Sequence, residues 1–242
     1  MPEDIITIAG LQIVMLIASF VQGAVGFAFG MIAMGLSTHL LDARMANILI
    51  SPLAGLNIGL TLWSVRKDIH IRNFAPMLAG QVIGLPFGLS ILLYVSPEML
   101  RLLVAVLLIY VGLSRLYHRN RGRKPLRRIW GLFAGFAGGI LGGAANISGP
   151  PLIAYAARQT WEPRVFKASL LMIFIVSVAL KSSFLAIEGS LTPKIAMTAA
   201  TLTPAILAGS WLGIQLFNRI DRDRFGLIVA VSVLTLGVSL LF

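Results

Sequence analysis

Two glycine-rich runs, at 22–30 and 138–151, hold the polar side chains best placed to bind a ligand. The second run contains Asn146 and Ser148, followed by Gly149 and two prolines. Ser148 or Gly149 suits a helix cap, and proline suits the first helical turn because its missing N–H is not needed there. A helix that begins here would direct amide N–H groups and the positive end of its dipole inward, as helix N-termini that bind anions do. The run therefore predicts an anion site.

The first run adds Gln22, and its Gly23 and Gly26 match Gly139 and Gly142 of the second run at an offset of 116 residues. If both runs interrupt helices at the same depth, the two breaks would face one cavity. We therefore include Gln22, Gly23 and Gly26 in the predicted site. The alternative for the glycines is close helix packing, which membrane proteins achieve with small residues.

Lys181 is the charge that the sequence places well inside an apolar run. A charge within the bilayer costs roughly 2.5–3.5 kcal/mol on insertion scales, so its presence calls for a function. We predict that Lys181 supplies the positive charge for a bound anion. The alternative is a side chain that extends toward the headgroups, because Glu188 and the end of the run lie only seven residues away.

Other chemistry finds little support in the sequence. The chain has no cysteine, which excludes disulfides and thiolate metal sites. No carboxylate lies deep in an apolar run, which argues against a cation transporter and a simple proton relay. The histidines fall in or near predicted loops, and no Ser–His or paired-carboxylate arrangement can be recognised: His39, His70 and His118. We predict no catalytic residue, no metal and no cofactor.

The elements that must position these residues are membrane helices. The chain of 242 residues is 57% hydrophobic and 12% charged, whereas a soluble domain carries about 25% charged residues. Its net charge of +11 is carried by residues between apolar runs, which indicates membrane orientation and contact with anionic lipid rather than nucleic-acid binding. Because the N-terminus begins with acidic rather than basic residues, we expect the first apolar run to be retained.

Eight apolar segments can be read between the charged residues: 5–41, 45–65, 73–95, 99–117, 129–157, 166–187, 195–218 and 225–242. They predict an N-terminal membrane repeat at 1–117, a basic cytoplasmic linker at 118–128 and a C-terminal membrane repeat at 129–242. Segments 5–41 and 129–157 exceed the roughly 20 residues that one span needs. Because glycine and proline interrupt both, we predict broken helices that enter and leave on one side.

The distribution of Lys and Arg favours this hairpin arrangement over eight simple spans. With the linker in the cytoplasm, the hairpins leave only Arg44, Arg101 and Lys194 outside and Lys181 within a span. Each half then crosses an odd number of times, so the halves are inverted. The predicted fold is an all-α polytopic membrane protein of two homologous halves, each with about four helical segments and opening with a broken or re-entrant glycine-rich helix.

Internal similarity between the halves supports a duplication. At an offset of 125 residues, small and β-branched residues of the first half match those of the second over two segments. Those of the first half are Gly84, Gly88, Val104, Ala105, Val106, Gly112 and Ser114. Their matches are Gly209, Gly213, Val229, Ala230, Val231, Gly237 and Ser239.

Over nearly its full length the chain resembles the sulfite exporter TauE/SafE family. The resemblance rests on the run from Gln22 to Phe27, on 138–143 leading to Ser148-Gly149-Pro150-Pro151, and on the lysine at 181. It implies transport, often export, of sulfite, sulfoacetate or a related sulfur-containing anion. The residues alone predict only an anion transporter. Our hypothesis is that it works by alternating access.

We expect a multi-pass protein of the inner membrane that is not an enzyme. Its expected partners are a small anionic substrate and the lipid bilayer, and the sequence leaves a homodimer open. Three alternatives remain at this point: an importer of a small organic acid or sulfate with the same fold, a membrane scaffold that transports nothing, and a channel.

Overall fold

A computed structural model describes residues 5–117, 125–216 and 222–241, and these ranges form helices and loops without a strand. The helices are α1 (Ile5–Val25), α2 (Phe29–Ser37), α3 (Ala43–Trp63), α4 (Ile71–Tyr94), α5 (Pro97–Tyr117), α6 (Arg128–Ala145), α7 (Gly149–Ala156), α8 (Pro163–Ile187), α9 (Pro193–Leu216) and α10 (Arg222–Ser239). Most of the predicted linker, at 118–124, lies outside the described residues.

Six of the described helices are long and apolar enough to cross a membrane: α1, α3, α4, α6, α8 and α9. Large apolar side chains on their outer faces are exposed, including Phe87 of α4, Ile187 of α8 and Trp211 of α9. A surface of this kind requires lipid, because soluble monomers rarely expose apolar patches of comparable extent. The prediction of an all-helical, multi-pass membrane protein is confirmed.

Both glycine-rich segments are interrupted, as predicted. The helix α1 ends at Val25, and the following turn contains Gly26 with a φ of 91° and Ala28 with a φ of 93°. The helix α6 ends at Ala145, and Asn146 follows with a φ of 58°. A left-handed residue ends an α-helix because the chain direction changes there. Both α2, with 9 residues, and α7, with 8, are too short to cross a bilayer.

Each interrupted segment doubles back on itself. Toward the end of the first segment, Leu40 packs on Gly10, whose Cβ position would lie 3.1 Å from the Leu40 side chain. In the second segment, Gly131 has the Tyr155 ring 3.0 Å from its Cβ position. Past α7, Gln159 donates a hydrogen bond of 3.3 Å to the carbonyl of Leu126, which precedes α6. Thus α1 with α2 and α6 with α7 form two antiparallel hairpins.

Glycines bring several of the long helices into backbone contact. The helix α4 packs on α6, α9 packs on α1, and α5 packs on α10. At these contacts a Cβ on the glycine would meet backbone atoms of the partner helix, so that a larger residue would force the helices apart. The glycines are Gly80, Gly84 and Gly88 on α4, Gly209 and Gly213 on α9, and Gly112 and Gly237 on α5 and α10.

Candidate functional site

The tips of the two hairpins meet around a cavity of about 50 Å³. The tips are in direct contact, because a Cβ on Gly30 of α2 would overlap the carbonyl oxygen of Asn146. The remaining wall is formed by α3 and α8. Each water-sized group needs at least about 10–15 Å³ of such volume, so the space suits an ion of a few heavy atoms. Five predicted site residues line it: Gln22, Asn146, Ser148, Gly149 and Lys181.

Lys181 lies at the cavity wall and is buried, with 1% of its surface exposed. Its Nζ donates to the carbonyl oxygens of Gly142 at 3.0 Å and Gly143 at 2.9 Å, which belong to the last turn of α6. It also donates to Oδ1 of Asn47 at 2.6 Å and Oδ1 of Asn146 at 2.9 Å. The ammonium group therefore stabilises the negative end of α6, where the carbonyl of Gly142 also accepts a bond of 3.0 Å from the N–H of Asn146.

Among the described residues, no carboxylate forms an ion pair with Lys181. The ion pair found among the described residues joins Arg164 to Asp68 at 3.9 Å, and both side chains are partly exposed. Burial of an ammonium group is costly unless an opposite charge or several hydrogen bonds compensate it. The hydrogen-bond partners of Lys181 among the described residues are neutral oxygens.

The side chain of Asn146 is committed to the protein. Its Nδ2 donates to the carbonyl oxygen of Asn47 at 2.9 Å and to Oδ1 of Asn47 at 3.1 Å. Asn47 in turn donates to the carbonyl oxygen of Ala144 at 2.6 Å. These bonds hold the tip of the second hairpin on α3. Asn146 thus positions Lys181 and the tip, and its amide would bind an anion only after exchanging these partners.

Gln22 caps the second helix of the first hairpin. Its Oε1 accepts a hydrogen bond of 3.0 Å from the backbone N–H of Phe29, the first residue of α2. The bond from an N–H donor identifies this atom as the oxygen, so the second polar atom of the amide is Nε2, a hydrogen-bond donor. No described residue accepts a bond from this Nε2, which can therefore donate to a ligand in the cavity that Gln22 lines.

The start of α7 offers fewer amide donors than the sequence analysis expected. Pro150 and Pro151 follow Gly149 and have no N–H, so Gly149 carries the only amide N–H of the first three helical positions. The hydroxyl of Ser148 makes no capping bond and lines the cavity. Ser148 and Gly149 therefore contribute one hydroxyl and one amide, and the helix dipole adds to both.

Gly23 and Gly26 do not line the cavity. A Cβ on Gly23 would lie 2.8 Å from the carbonyl oxygen of Ser210 in α9, so this glycine allows α1 and α9 to pack closely. A Cβ on Gly26 would lie 2.6 Å from Cγ of Lys167, and its φ of 91° also favours glycine. The contacts of these two glycines agree with the alternative given for them, which is close packing of the chain rather than contact with a ligand.

Lys167, which the charge distribution counted with the cytoplasmic residues, is a second lysine held inside the protein. It is buried with 1% exposure, and its Nζ donates to the carbonyl oxygen of Gly23 at 2.7 Å. The sequence conceals this because Lys167 lies in the first turns of α8, close to the charged residues Glu162 and Arg164. Lys167 and Lys181 each bind carbonyl oxygens near the end of one hairpin's first helix.

Polar residues of the long spans complete the surroundings of the cavity, and the sequence analysis missed them. Asn47, Ser51, Gln81 and Ser177 are buried within apolar helices. Ser51 donates to Oδ1 of Asn146 at 3.4 Å as well as to the carbonyl of Asn47 at 2.8 Å. Their signal was a polar side chain in the middle of an apolar run, since such groups need partners inside the protein.

Comparisons with known proteins agree with this architecture. Residues 11–240 match the family described as "Sulfite exporter TauE/SafE". A curated protein of Cupriavidus necator, named "Probable sulfite/organosulfonate exporter TauE", is 28% identical over 220 residues, which cover 87% of this chain and 84% of that protein. No solved structure matches the chain.

The family match spans nearly the whole chain and includes both hairpins, the helices that pack on them and the buried lysines. The predicted family is thereby confirmed, and with it the expectation of a membrane transporter rather than an enzyme. This chain belongs to the sulfite exporter TauE/SafE family.

Proposed function

We propose that this protein exports a small sulfur oxyanion, sulfite or a compact organosulfonate, and binds it in the cavity between the hairpin tips. The observation that carries the proposal is the buried ammonium of Lys181 at the cavity wall, which has neutral oxygens as partners. A cation without a buried counter-ion attracts an anion strongly where water is scarce. The name of the relative from Cupriavidus necator supports sulfite and organosulfonates as the substrate class.

The donors around the cavity suit an oxyanion, which accepts hydrogen bonds and donates none. Nε2 of Gln22, the hydroxyl of Ser148 and the amide of Gly149 supply neutral donors, and Lys181 supplies charge. The starts of α2 and α7 add the positive ends of their dipoles. A volume of about 50 Å³ favours sulfite over sulfoacetate in this conformation, so the longer anion requires the tips to separate.

The proposal includes inverted halves that exchange roles during alternating access. Reciprocal contacts between α5 and α10 support it. Gly112 packs against Ala230 and Leu234, and Gly237 packs against Ala105 and Ile109. The offset of 125 residues that the sequence suggested relates the two sets of contacts residue by residue: Gly112 to Gly237, Ala105 to Ala230 and Ile109 to Leu234.

Contacts of α4 and α9 support the same relation in a shifted register. The carbonyl of Leu132 and the amide of Phe136 meet Gly80, whereas the equivalent groups of Leu16 and Phe20 meet Gly209. By these contacts the counterpart of Gly209 is Gly80, four residues before the Gly84 of the sequence alignment. Both registers are possible if the connection from α9 to α10 is one helical turn shorter than the connection from α4 to α5.

The proposed topology places the linker at 118–128 in the cytoplasm, with halves at 1–117 and 129–242 in an inner membrane. Each half contributes one hairpin and three further helices. With a negative potential inside, export of one negative charge gains roughly 2.3 kcal/mol per 100 mV. Outward movement of sulfite can therefore proceed without a proton relay, which the described spans provide no carboxylate to build.

Efflux of labelled sulfite from proteoliposomes tests the proposal. Lys181→Met keeps most of the side-chain volume and removes the charge, and Lys194→Met removes an exposed lysine at the start of α9 as the matched control. We expect Lys181→Met to lower the initial efflux rate at subsaturating sulfite at least roughly tenfold, because a hydrogen bond to a charged group contributes about 1.5–3 kcal/mol. Lys194→Met should retain the wild-type rate.

Three other outcomes would lead to different conclusions. Efflux unchanged in Lys181→Met would remove this lysine from the binding site. Faster uptake of sulfate or a carboxylate than of sulfite would favour the importer alternative. Absence of flux and of ligand-dependent thermal stabilisation for every oxyanion in the wild-type protein would favour a scaffold, since a specific ligand raises the melting temperature Tm as its concentration rises.

A further inference from the structure

Ser177 lies one helical turn before Lys181 on α8, and both side chains line the cavity. Residues four positions apart occupy the same face of a helix. Ser177 is 4% exposed and Lys181 is 1% exposed, so both polar groups are withdrawn from lipid. The face of α8 that borders the cavity thus carries a hydroxyl beside an ammonium group.

The hydroxyl of Ser177 has a different kind of partner from several other buried hydroxyls of the spans. Ser19, Ser51 and Thr61 each donate to the carbonyl oxygen four residues earlier, at 2.6 to 2.9 Å. This is the usual arrangement for a hydroxyl within a helix. Ser177 instead accepts a bond of 3.0 Å from Nε2 of Gln81, and no described residue accepts its proton. Its hydrogen therefore remains free to point into the cavity.

Gln81 is itself fully buried and held between helices. It lies on α4 opposite the glycine-rich stretch of α6, where a Cβ on Gly138 would come within 2.7 Å of its Oε1. A side chain at position 138 would displace the amide, so the glycine makes room for Gln81. The amide occupies one lone pair of the Ser177 oxygen, and a hydroxyl so engaged acts as a donor toward any further partner.

We propose that Ser177 donates a hydrogen bond to an oxygen of the transported anion and that Gln81 is a positioning residue for this contact. The inference rests on the proposed function, whose site it completes with a donor on α8. It also explains selectivity by charge and hydrogen bonding together. An oxyanion accepts from Ser177 and is attracted by Lys181, whereas a neutral molecule or a cation gains no such pair of interactions.

Ser210 offers a matched control. Its Oγ also accepts a bond from a buried amide, Nδ2 of Asn57 at 2.7 Å, and it is 1% exposed, but it does not line the cavity. Ser210→Ala therefore removes the same kind of hydroxyl from a similar environment. Ser177→Thr keeps the hydroxyl of interest, and Gln81→Leu removes the positioning amide at similar volume.

The measurement is the dissociation constant Kd of sodium sulfite, from the rise in Tm of the full chain in detergent, relative to each variant's own Tm without ligand. Ser177→Ala should raise the Kd roughly tenfold or more, because one hydrogen bond to a charged partner is lost. Ser177→Thr and Ser210→Ala should bind as the wild type does. Gln81→Leu should raise the Kd by a smaller factor and have no further effect in the Ser177→Ala background, since Gln81 acts through Ser177.

The outcomes separate this inference from the proposed function. If the wild-type protein binds sulfite and Ser177→Ala binds it equally well, the assignment of Ser177 is overturned while the proposed function stands. Equal losses in Ser210→Ala and Ser177→Ala would also overturn it, because the effect would then be structural. Additive losses in the double variant would overturn the positioning role of Gln81. If wild-type protein fails to bind sulfite at all, the proposed function and this inference fall together.

Discussion

Gly30 is where the two hairpin tips touch, and Gly30→Ala tests whether the cavity depends on that contact. The new Cβ would overlap the backbone carbonyl oxygen of Asn146 and lie 3.0 Å from its carbonyl carbon. That carbonyl cannot yield easily, because the side chain of Asn146 is bonded to Asn47 and Lys181. The methyl group must therefore push the tips apart, and overpacking of this kind costs about 1–3 kcal/mol.

Gly59 on α3 is the matched control, since a Cβ at this position meets nothing within 4 Å. Alanine gains up to about 1 kcal/mol over glycine within a helix, and both variants share most of this gain. The difference between Gly30→Ala and Gly59→Ala therefore isolates the overpacking. For a chain of this size 1 kcal/mol shifts Tm by about 2–4 °C. We expect Gly30→Ala to melt about 2–12 °C below Gly59→Ala, following from the cost above.

Thermal unfolding in one detergent and sulfite efflux from proteoliposomes are the two assays. Efflux should fall in Gly30→Ala, because the added methyl group raises the free energy of the conformation in which the tips touch and enclose the cavity. It should stay at the wild-type rate in Gly59→Ala. Equal melting temperatures for the two variants, together with wild-type efflux in both, would refute the direct contact between the tips and the role we assign to it.

Three further substitutions test the hairpin tips by thermal unfolding. Lys167→Met should be less stable than Lys194→Met by about 1–3 kcal/mol, because a buried carbonyl loses its donor; equal values would show that Lys167 anchors nothing. Gly26→Ala should be less stable than Gly59→Ala by a similar amount, about 1–3 kcal/mol, since its φ of 91° strains any other residue; the reverse order would contradict the left-handed turn. Asn146→Ala should be less stable than Asn146→Gly by about 1 kcal/mol, because both lose the amide but only alanine resists the left-handed conformation; equal stability would argue against that geometry.

Sequence patterns predicted the hairpins because their signal is local. Dense glycine in both segments, and the two prolines after Gly149, favour an interruption of the helix, and the excessive length of both segments indicated the same. The same locality explains why Gln22, Ser148 and Lys181 were placed at one cavity. A polar group that interrupts an apolar run must face the protein interior, and few places in the interior are available.

Tertiary packing decided what the local patterns could not. Lys167 was counted as a cytoplasmic charge, since only the contact with Gly23 reveals its burial. Asn146 remains a predicted ligand residue, but local patterns could not reveal its bonds to Asn47, which lies 99 residues away in the sequence. The proposed correspondence between α4 and α9 likewise depends on tertiary contacts, because glycines recur every few residues and fit more than one alignment of the two helices.

Where a helix is interrupted, the carbonyl groups that end its first part and the N–H groups that begin its second part lack partners within the helix. In a continuous helix these groups would bond to one another. In each hairpin the first helix presents carbonyl oxygens near its end to a lysine of α8: Gly23 to Lys167, and Gly142 and Gly143 to Lys181. The second helix of each hairpin presents its positive end to the cavity. Transporters with discontinuous helices use such ends for a coupling cation and an anionic substrate.

In the mechanism that we propose, a lysine side chain takes the place that a coupling cation occupies in such transporters. Because Lys167 and Lys181 belong to one helix, a shift of α8 relative to α3 would change the contacts of both hairpin tips at once. An anion that draws Lys181 toward the cavity competes with the carbonyl oxygens of α6 for the same ammonium protons, of which there are only three. Under the proposed function, substrate binding and anchoring of the second tip to α8 are therefore competing uses of one group, which would link occupancy of the cavity to movement of the hairpin.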